Sequence, residues 1–153
     1  MATEQDWAAY ATAVVDLEPP GGPPRRLVPD TPGAVGAWPD GLPSPVVVVT
    51  AWDPDSVRQD EAVNRDRSRR LVEELEAAGL ASWPATGRDD DGHHEEGVAV
   101  TGLDEAEGLA LGRRHGQAAV YVWRPDAWEI VACDGSRRVT LGWRLVDAPG
   151  TDG

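Results

Sequence analysis

Lysine and phenylalanine are absent from this 153-residue chain, and it has one cysteine, one methionine and three histidines. Each shortage excludes something. A lone cysteine, Cys133, cannot form an internal disulfide, so a reducing, cytoplasmic setting is the expectation. No apolar run approaches the ~20 residues of a membrane span. The opening MATEQDWAAY lacks the basic start and apolar core of a secretory signal. Positive charge is scarce: 14 arginines stand against 27 acidic residues, a net charge of -13. That field repels phosphate backbones and argues against nucleic acid as a partner. With no phenylalanine, the seven tryptophans are left to supply the aromatic core, so they need not mark a stacking surface.

The length suits one domain, read here as residues 1–147 with a frayed tail at 148–153. Proline and glycine concentrate in residues 18–45, which hold 9 of 13 prolines and 5 glycines. Such a stretch disfavours helix and central strand alike and reads as a long connector. Elsewhere the periods are clear. DWAAY (6–10) fits a helical turn, followed by a short apolar strand over 12–17. PVVVVTAW (45–52) has the composition of a strand buried on both faces. Residues 60–78 are helical, with Asp60 placed to cap and Gly79 just past the end. LASWPATG and GVAVTGL (97–103) are strands around a polar loop, RDDDGHHEE. Asp104 and Glu107 have capping-box spacing and open a helix that ends at Gly116. QAAVYVW (117–123), AWEIVAC (127–133) and RRVTLGWRLV (137–146) follow as strands joined by tight turns. From Val46 the order predicts an α+β fold. Two helices would lie on one face of a mixed, mainly antiparallel sheet in β-α-β-β-α-β, ferredoxin-like order, with a C-terminal β-meander.

The first long helix carries the most information. With Leu71 at zero and ~100° per residue, Leu75 and Ala78 fall within about 40° of it, as do Arg67 and Asn64. The inner stripe therefore turns polar toward the helix start. Asn64 is the only asparagine in the chain, and surface solubility does not require it. A strand-turn-helix connection brings Asn64 and Arg67 close to Thr50–Pro54. Two roles follow. They stitch the TAWDP turn to the helix, since buried polar groups need partners, or they contact a ligand. A buried Arg67 requires an acid, with Asp53 and Glu95 as candidates.

Other templates fail. Residues 88–96 hold three Asp, two His and two Glu, but no metal-ligand spacing occurs within them. They also do not follow a calcium-loop pattern. No metal is expected from this loop, and a solvated acidic loop is the plainer reading. No G-x-S-x-G, P-loop or G-x-G-x-x-G occurs, so no cofactor is expected. Cys133 reads as an inert core thiol, and His115, at a helix end, as a packing or capping residue.

TAWDP (50–54), NRDR (64–67) with Leu71 and Leu75, PATG (84–87), HHEEG (93–97) and AEGLALGRRHGQAAVYVW (106–123) stand in an order that resembles domain-of-unknown-function family 3293. The resemblance covers about residues 46–124, with an echo near Trp7–Tyr10. The family pattern has Asn where this chain has Asp53, and an aromatic where it has His93. It implies a fold and a set of positions but no reaction. Those positions, together with the helix stripe, select Thr50, Asp53, Asn64, Arg67, Glu95 and Gln117 as candidate ligand-binding residues. Because no nucleophile or metal constellation stands out, the function read from the sequence is a non-catalytic interaction or regulatory module with a protein partner, and one alternative is kept. The alternative is a small-molecule binding protein or enzyme, with Arg67 holding a carboxylate or phosphate and Glu95 as candidate base.

Overall fold

Val46 and Val48 face one side of a strand and Val47 and Val49 the other, and all four are buried. Two packed layers therefore meet on this strand, and each has its own core. The structure, a computed structural model, describes residues 2–149. Its strands are β1 (Val14–Leu17), β2 (Arg25–Asp30), β3 (Val46–Thr50), β4 (Ser82–Arg88), β5 (His94–Val100), β6 (Ala119–Arg124), β7 (Ala127–Ala132) and β8 (Arg138–Asp147). Three α-helices accompany them: α1 (Glu4–Thr12), α2 (Glu61–Ala77) and α3 (Glu105–Arg114). The strands close into an antiparallel barrel in the order β1-β2-β8-β7-β6-β3-β5-β4.

This corrects the open ferredoxin-like sheet expected above. The closing element is β2, which lies inside the Pro/Gly-rich stretch. It pairs with β8, from Arg25↔Asp147 to Asp30↔Gly142, and with β1 at Val15↔Leu27. β1 in turn pairs with β4, so what would have been two sheet edges become one continuous wall. Pro29 is tolerated because it lies past the last β1 pairing, where its missing N–H leaves no partner unsatisfied. On the outside of this seam, Asp16 accepts from Arg26 Nε at 2.7 Å and from Arg88 Nε at 2.8 Å, tying β1 to β2 and β4.

Helices α2 and α3 pack outside the barrel. Leu71, Leu75 and Leu111 join Val47, Val49, Val98, Val100, Val120 and Val122 in one buried cluster. Full burial of each such side chain stabilises by about 1.5–3 kcal/mol. α3 lies close to the wall through two glycines. A Cβ at Gly108 would come 2.8 Å from Val47 Cγ2, and one at Gly112 2.6 Å from Val120 Cγ1. The expected capping box is present: Glu107 N donates to Asp104 Oδ1 and Asp104 N to Glu107 Oε1. Asp60 is the N-cap of α2, but its side chain makes no capping bond.

The lumen is filled unevenly. At one end Trp83, Trp123, Trp128 and Trp143 are buried together, with Trp38 of the 18–45 stretch laid against them. Trp38 and Trp123 have ring centroids 4.5 Å apart. At the other end the inward positions are small, among them Ala85, Gly87, Gly97 and Ala119. Here α1 lies across the opening, with Trp7 buried on Ile130 and Ala132 and held from outside by the Arg137 guanidinium, 4.6 Å over its ring. Of the tail read at 148–153, residues 150–153 lie outside the described residues, and Ala148 N donates to Pro24 O. Among the described residues no helix is long and apolar enough to cross a membrane.

Candidate functional site

The small inward residues leave a cavity of about 220 Å³ at the α1 end of the lumen. Gly87 shows how it arises. It sits opposite Val15 and Glu95 in the pairings of β4, and directly opposed residues share a face. A Cβ added at Gly87 would meet nothing within 4 Å, so the glycine of PATG withholds a side chain where the lumen would otherwise be filled. Gly97 has a different reason: a Cβ there would collide with the Val49 carbonyl on the neighbouring β3. By comparison, an engineered apolar cavity of about 150 Å³ accommodates benzene.

The polar lining comes from three segments. The loop after β3 supplies Asp53, Ser56 and Arg58, the β4–β5 hairpin supplies Asp89, His93 and Glu95, and α1 supplies Asp6 and Tyr10. Thr50, Arg88, Gln117 and Tyr121 add to it from the barrel wall and its rim. The post-β3 loop has an unusual backbone: Asp53, Asp55 and Ser56 all have positive φ, at 46°, 58° and 61°. Non-glycine residues hold such conformations only where their surroundings enforce them, and they gather at functional sites. Enforcement here is visible. Asp55 N donates to Gly116 O at 2.8 Å, and Gln117 Nε2 donates to Trp52 O at 2.9 Å.

Within the lining, three groups converge. His93 Nε2 lies 3.3 Å from Glu95 Oε2 and 3.6 Å from Asp53 Oδ2. The Asp53 side chain is only 8% exposed. Its Oδ1 accepts from Asn64 Nδ2 and from Gln59 N, both at 2.9 Å, while its own N donates to Asn64 Oδ1. Oδ2 is left facing His93. Burial, reinforced by the negative Asp53, pushes the Glu95 carboxyl up to about 7. Burial and the neighbouring Arg58 charge lower His93. A carboxyl held near neutrality can give or take a proton at physiological pH. Asp53, Arg58 and His93 also line a more open groove of about 420 Å³ on the outer side, so the cluster stands between solvent and cavity.

The six residues selected from sequence divide into three groups. Thr50, Asp53, Glu95 and Gln117 line the cavity. Thr50 is also structural, donating from Oγ1 to Glu96 O at 2.7 Å and accepting from Trp52 N. Asn64 stands behind Asp53 and orients it. Arg67 is elsewhere: it lines neither cavity nor groove, and among the described residues it makes no ion pair with Asp53 or Glu95. It is half-buried, and its Nε is buried without a hydrogen-bond partner. Its helix angle placed it on the inner side, but three residues beyond Asn64 that side faces a different neighbour. Sequence reasoning did not select His93, Tyr10 or Arg58. The replacement of an aromatic by His93 was the available signal for the first.

The comparisons with known proteins bear on the same span. A family model described as "Protein of unknown function (DUF3293)" matches residues 49–120, which include Thr50, Asp53, Asn64, His93, Glu95 and Gln117. No curated protein and no solved structure matches the chain. Over residues 49–120, a little under half of its length, the chain is similar to the DUF3293 family.

Proposed function

We propose that the protein binds a small polar molecule inside the glycine- and alanine-lined end of its barrel, with α1 and the post-β3 loop forming the mouth. The observation that carries this reading is the cavity itself. An eight-stranded barrel is just wide enough for side chains to fill or for one small ligand to occupy. This barrel is packed with tryptophan at one end and left open by Gly87 at the other. Convergent polar groups in a formed pocket are the usual mark of a ligand site. Arg67 takes no part in this reading, so recognition of an anion by that residue is not proposed. For the interaction-module alternative, the large exposed apolar residues among the described residues are Val35, Val57 and Val63, each at a separate place in the sequence.

A thermal-shift screen of small polar metabolites, run once in EDTA and once with added zinc, tests the proposal. Binding stabilises the folded state by RT ln(1+[L]/Kd), so weak ligands register. Gly87→Leu places a side chain into the open volume. The expected result is at least one ligand that raises the Tm of the wild type and not of Gly87→Leu. Absence of any such ligand in both screens, or shifts equal in the two proteins, would overturn the reading.

A further inference from the structure

We propose that Asp53 Oδ2, His93 Nε2 and Glu95 Oε2 form a three-ligand site for one divalent first-row metal ion, with its remaining coordination positions open to the cavity and the outer groove. The inference deepens the cavity reading and rests on it for what the open positions would face. The ion's own binding is separately measurable.

The geometry supports a metal in several ways. The three ligand atoms all lie within 4.8 Å of one another. Two of the edges, 3.3 and 3.6 Å, match the roughly 3.4 Å between ligands that each sit ~2.1 Å from a tetrahedral ion. An imidazole with two carboxylates is a donor set for zinc, iron or manganese. Three protein ligands with a free position is the pattern of sites that act on a bound molecule, in contrast to closed four-ligand structural sites.

A second observation is independent of the clustering. Arg58 lines the same cavity and groove and its charge acts on Glu95 and His93, but among the described residues no arginine comes within ion-pair distance of Asp53 or Glu95, and the one group facing Asp53 Oδ2 is His93, at 3.6 Å. Asn64 and Gln59 satisfy Asp53 Oδ1, and this leaves Oδ2 as an oxygen aimed into the cluster with no hydrogen bond of its own. A buried negative group in that state calls for a cation. The amide pair on Oδ1 is also the outer support that metal-bound carboxylates ordinarily have. His93 is held as well, by its backbone N–H on Asp89 Oδ1 at 2.9 Å. Ligand spacing within residues 88–96 could not reveal the site, because its third ligand, Asp53, arrives from 40 residues upstream of His93.

The test uses the full chain purified without a polyhistidine tag, stripped with EDTA, and titrated with zinc by calorimetry. The expected result is saturation at one equivalent. His93→Ala and Asp53→Asn should each weaken binding at least about 100-fold. Asn64→Ala, which removes a donor to Oδ1 and the acceptor of the Asp53 N–H but no proposed ligand, should weaken it about 10–100-fold. His94→Ala and Asp91→Asn should leave it unchanged. Melting curves in EDTA identify any variant that loses zinc by unfolding, and His93→Ala then carries the decision, since its side chain takes no part in the Asp53–Asn64 contact. No saturable zinc binding, or binding that survives His93→Ala because it belongs to the exposed acids of the hairpin, would overturn the proposal. Stabilisation by small amines and not by zinc would do the same. If zinc fails while Gly87→Leu still abolishes a small-molecule shift in EDTA, the metal inference falls and the cavity reading stands. If zinc binds as described but no ligand depends on Gly87, the cavity reading falls alone.

Discussion

Asp53 and Asn64 hold each other reciprocally: the Asp53 backbone N donates to Asn64 Oδ1 at 3.0 Å, and Asn64 Nδ2 donates to Asp53 Oδ1 at 2.9 Å. The sole asparagine of the chain thus fixes the start of α2 to the end of β3 and aims one carboxylate at the cavity. Removing it leaves a buried N–H without its acceptor and a carboxylate oxygen with one donor fewer. Asn64→Ala is expected to destabilise by about 1–3 kcal/mol, read by urea denaturation. Asn64→Asp should be worse at neutral pH, because it sets a second carboxylate against Asp53. A loss under 0.5 kcal/mol for both variants, a range typical of neutral surface changes, would contradict this account.

The barrel seam should respond to acid. Burial tends to raise the Asp16 carboxyl, but hydrogen bonds from Arg26 and Arg88 bring it below its ordinary value. A carboxylate with a lower pKa in the folded chain contributes stability that is present above its unfolded value, near 4, and is lost as pH falls through the folded value. Asp16→Asn is therefore expected to lie about 1–2 kcal/mol below wild type at pH 7, with the gap shrinking below pH 4. Paired denaturation curves across that range check it. A gap that widens with acid would reverse the sign and refute the assignment.

The Pro/Gly-rich stretch is an integral wall of the fold. Leu27, at its centre, is fully buried, and Leu27→Ala is expected to cost about 2–5 kcal/mol. The exposed Pro20 serves as the control, and Pro20→Ala should leave the unfolding midpoint within experimental error. Equal, negligible effects would mean that β2 is dispensable.

Gly112→Ala tests how closely α3 approaches the barrel. Helix propensity alone favours alanine by about 1 kcal/mol. Against that, the new methyl would lie 2.6 Å from Val120 Cγ1 and 2.8 Å from Cys133 Sγ. Overpacking of this kind costs about 1–3 kcal/mol, so a net loss of stability is expected. Val120→Ala in the same chain should recover part of it. A more stable Gly112→Ala protein would show that α3 can move outward freely.

Local signals in the sequence were sound where one segment decides the outcome. Four consecutive valines marked a strand buried on both faces, and Asp104 with Glu107 marked a helix start. The polar stripe of α2 led to Asn64 and so to the turn that carries Asp53. What could not be read was settled by distant pairings. Arg25 meets Asp147, and nothing in a six-residue strand flanked by prolines announces a partner so far along the chain. Without that strand the remaining elements suggested an open sheet. Arg67 shows the same limit on a smaller scale: a helix angle gives the side a residue faces but not what stands there. The two departures from the family pattern, Asp53 and His93, were each weighed alone, yet their side chains are neighbours 3.6 Å apart.

Closure also limits how another molecule can read this protein. An open sheet presents a row of unpaired backbone groups to which a foreign strand can add. Here every strand has a neighbour on both sides, so the sheet has no edge to lend. Recognition by a partner must work through side chains and loops, whose identity differs from one sequence to the next, and no strand is left with a whole side free for an extended peptide to join.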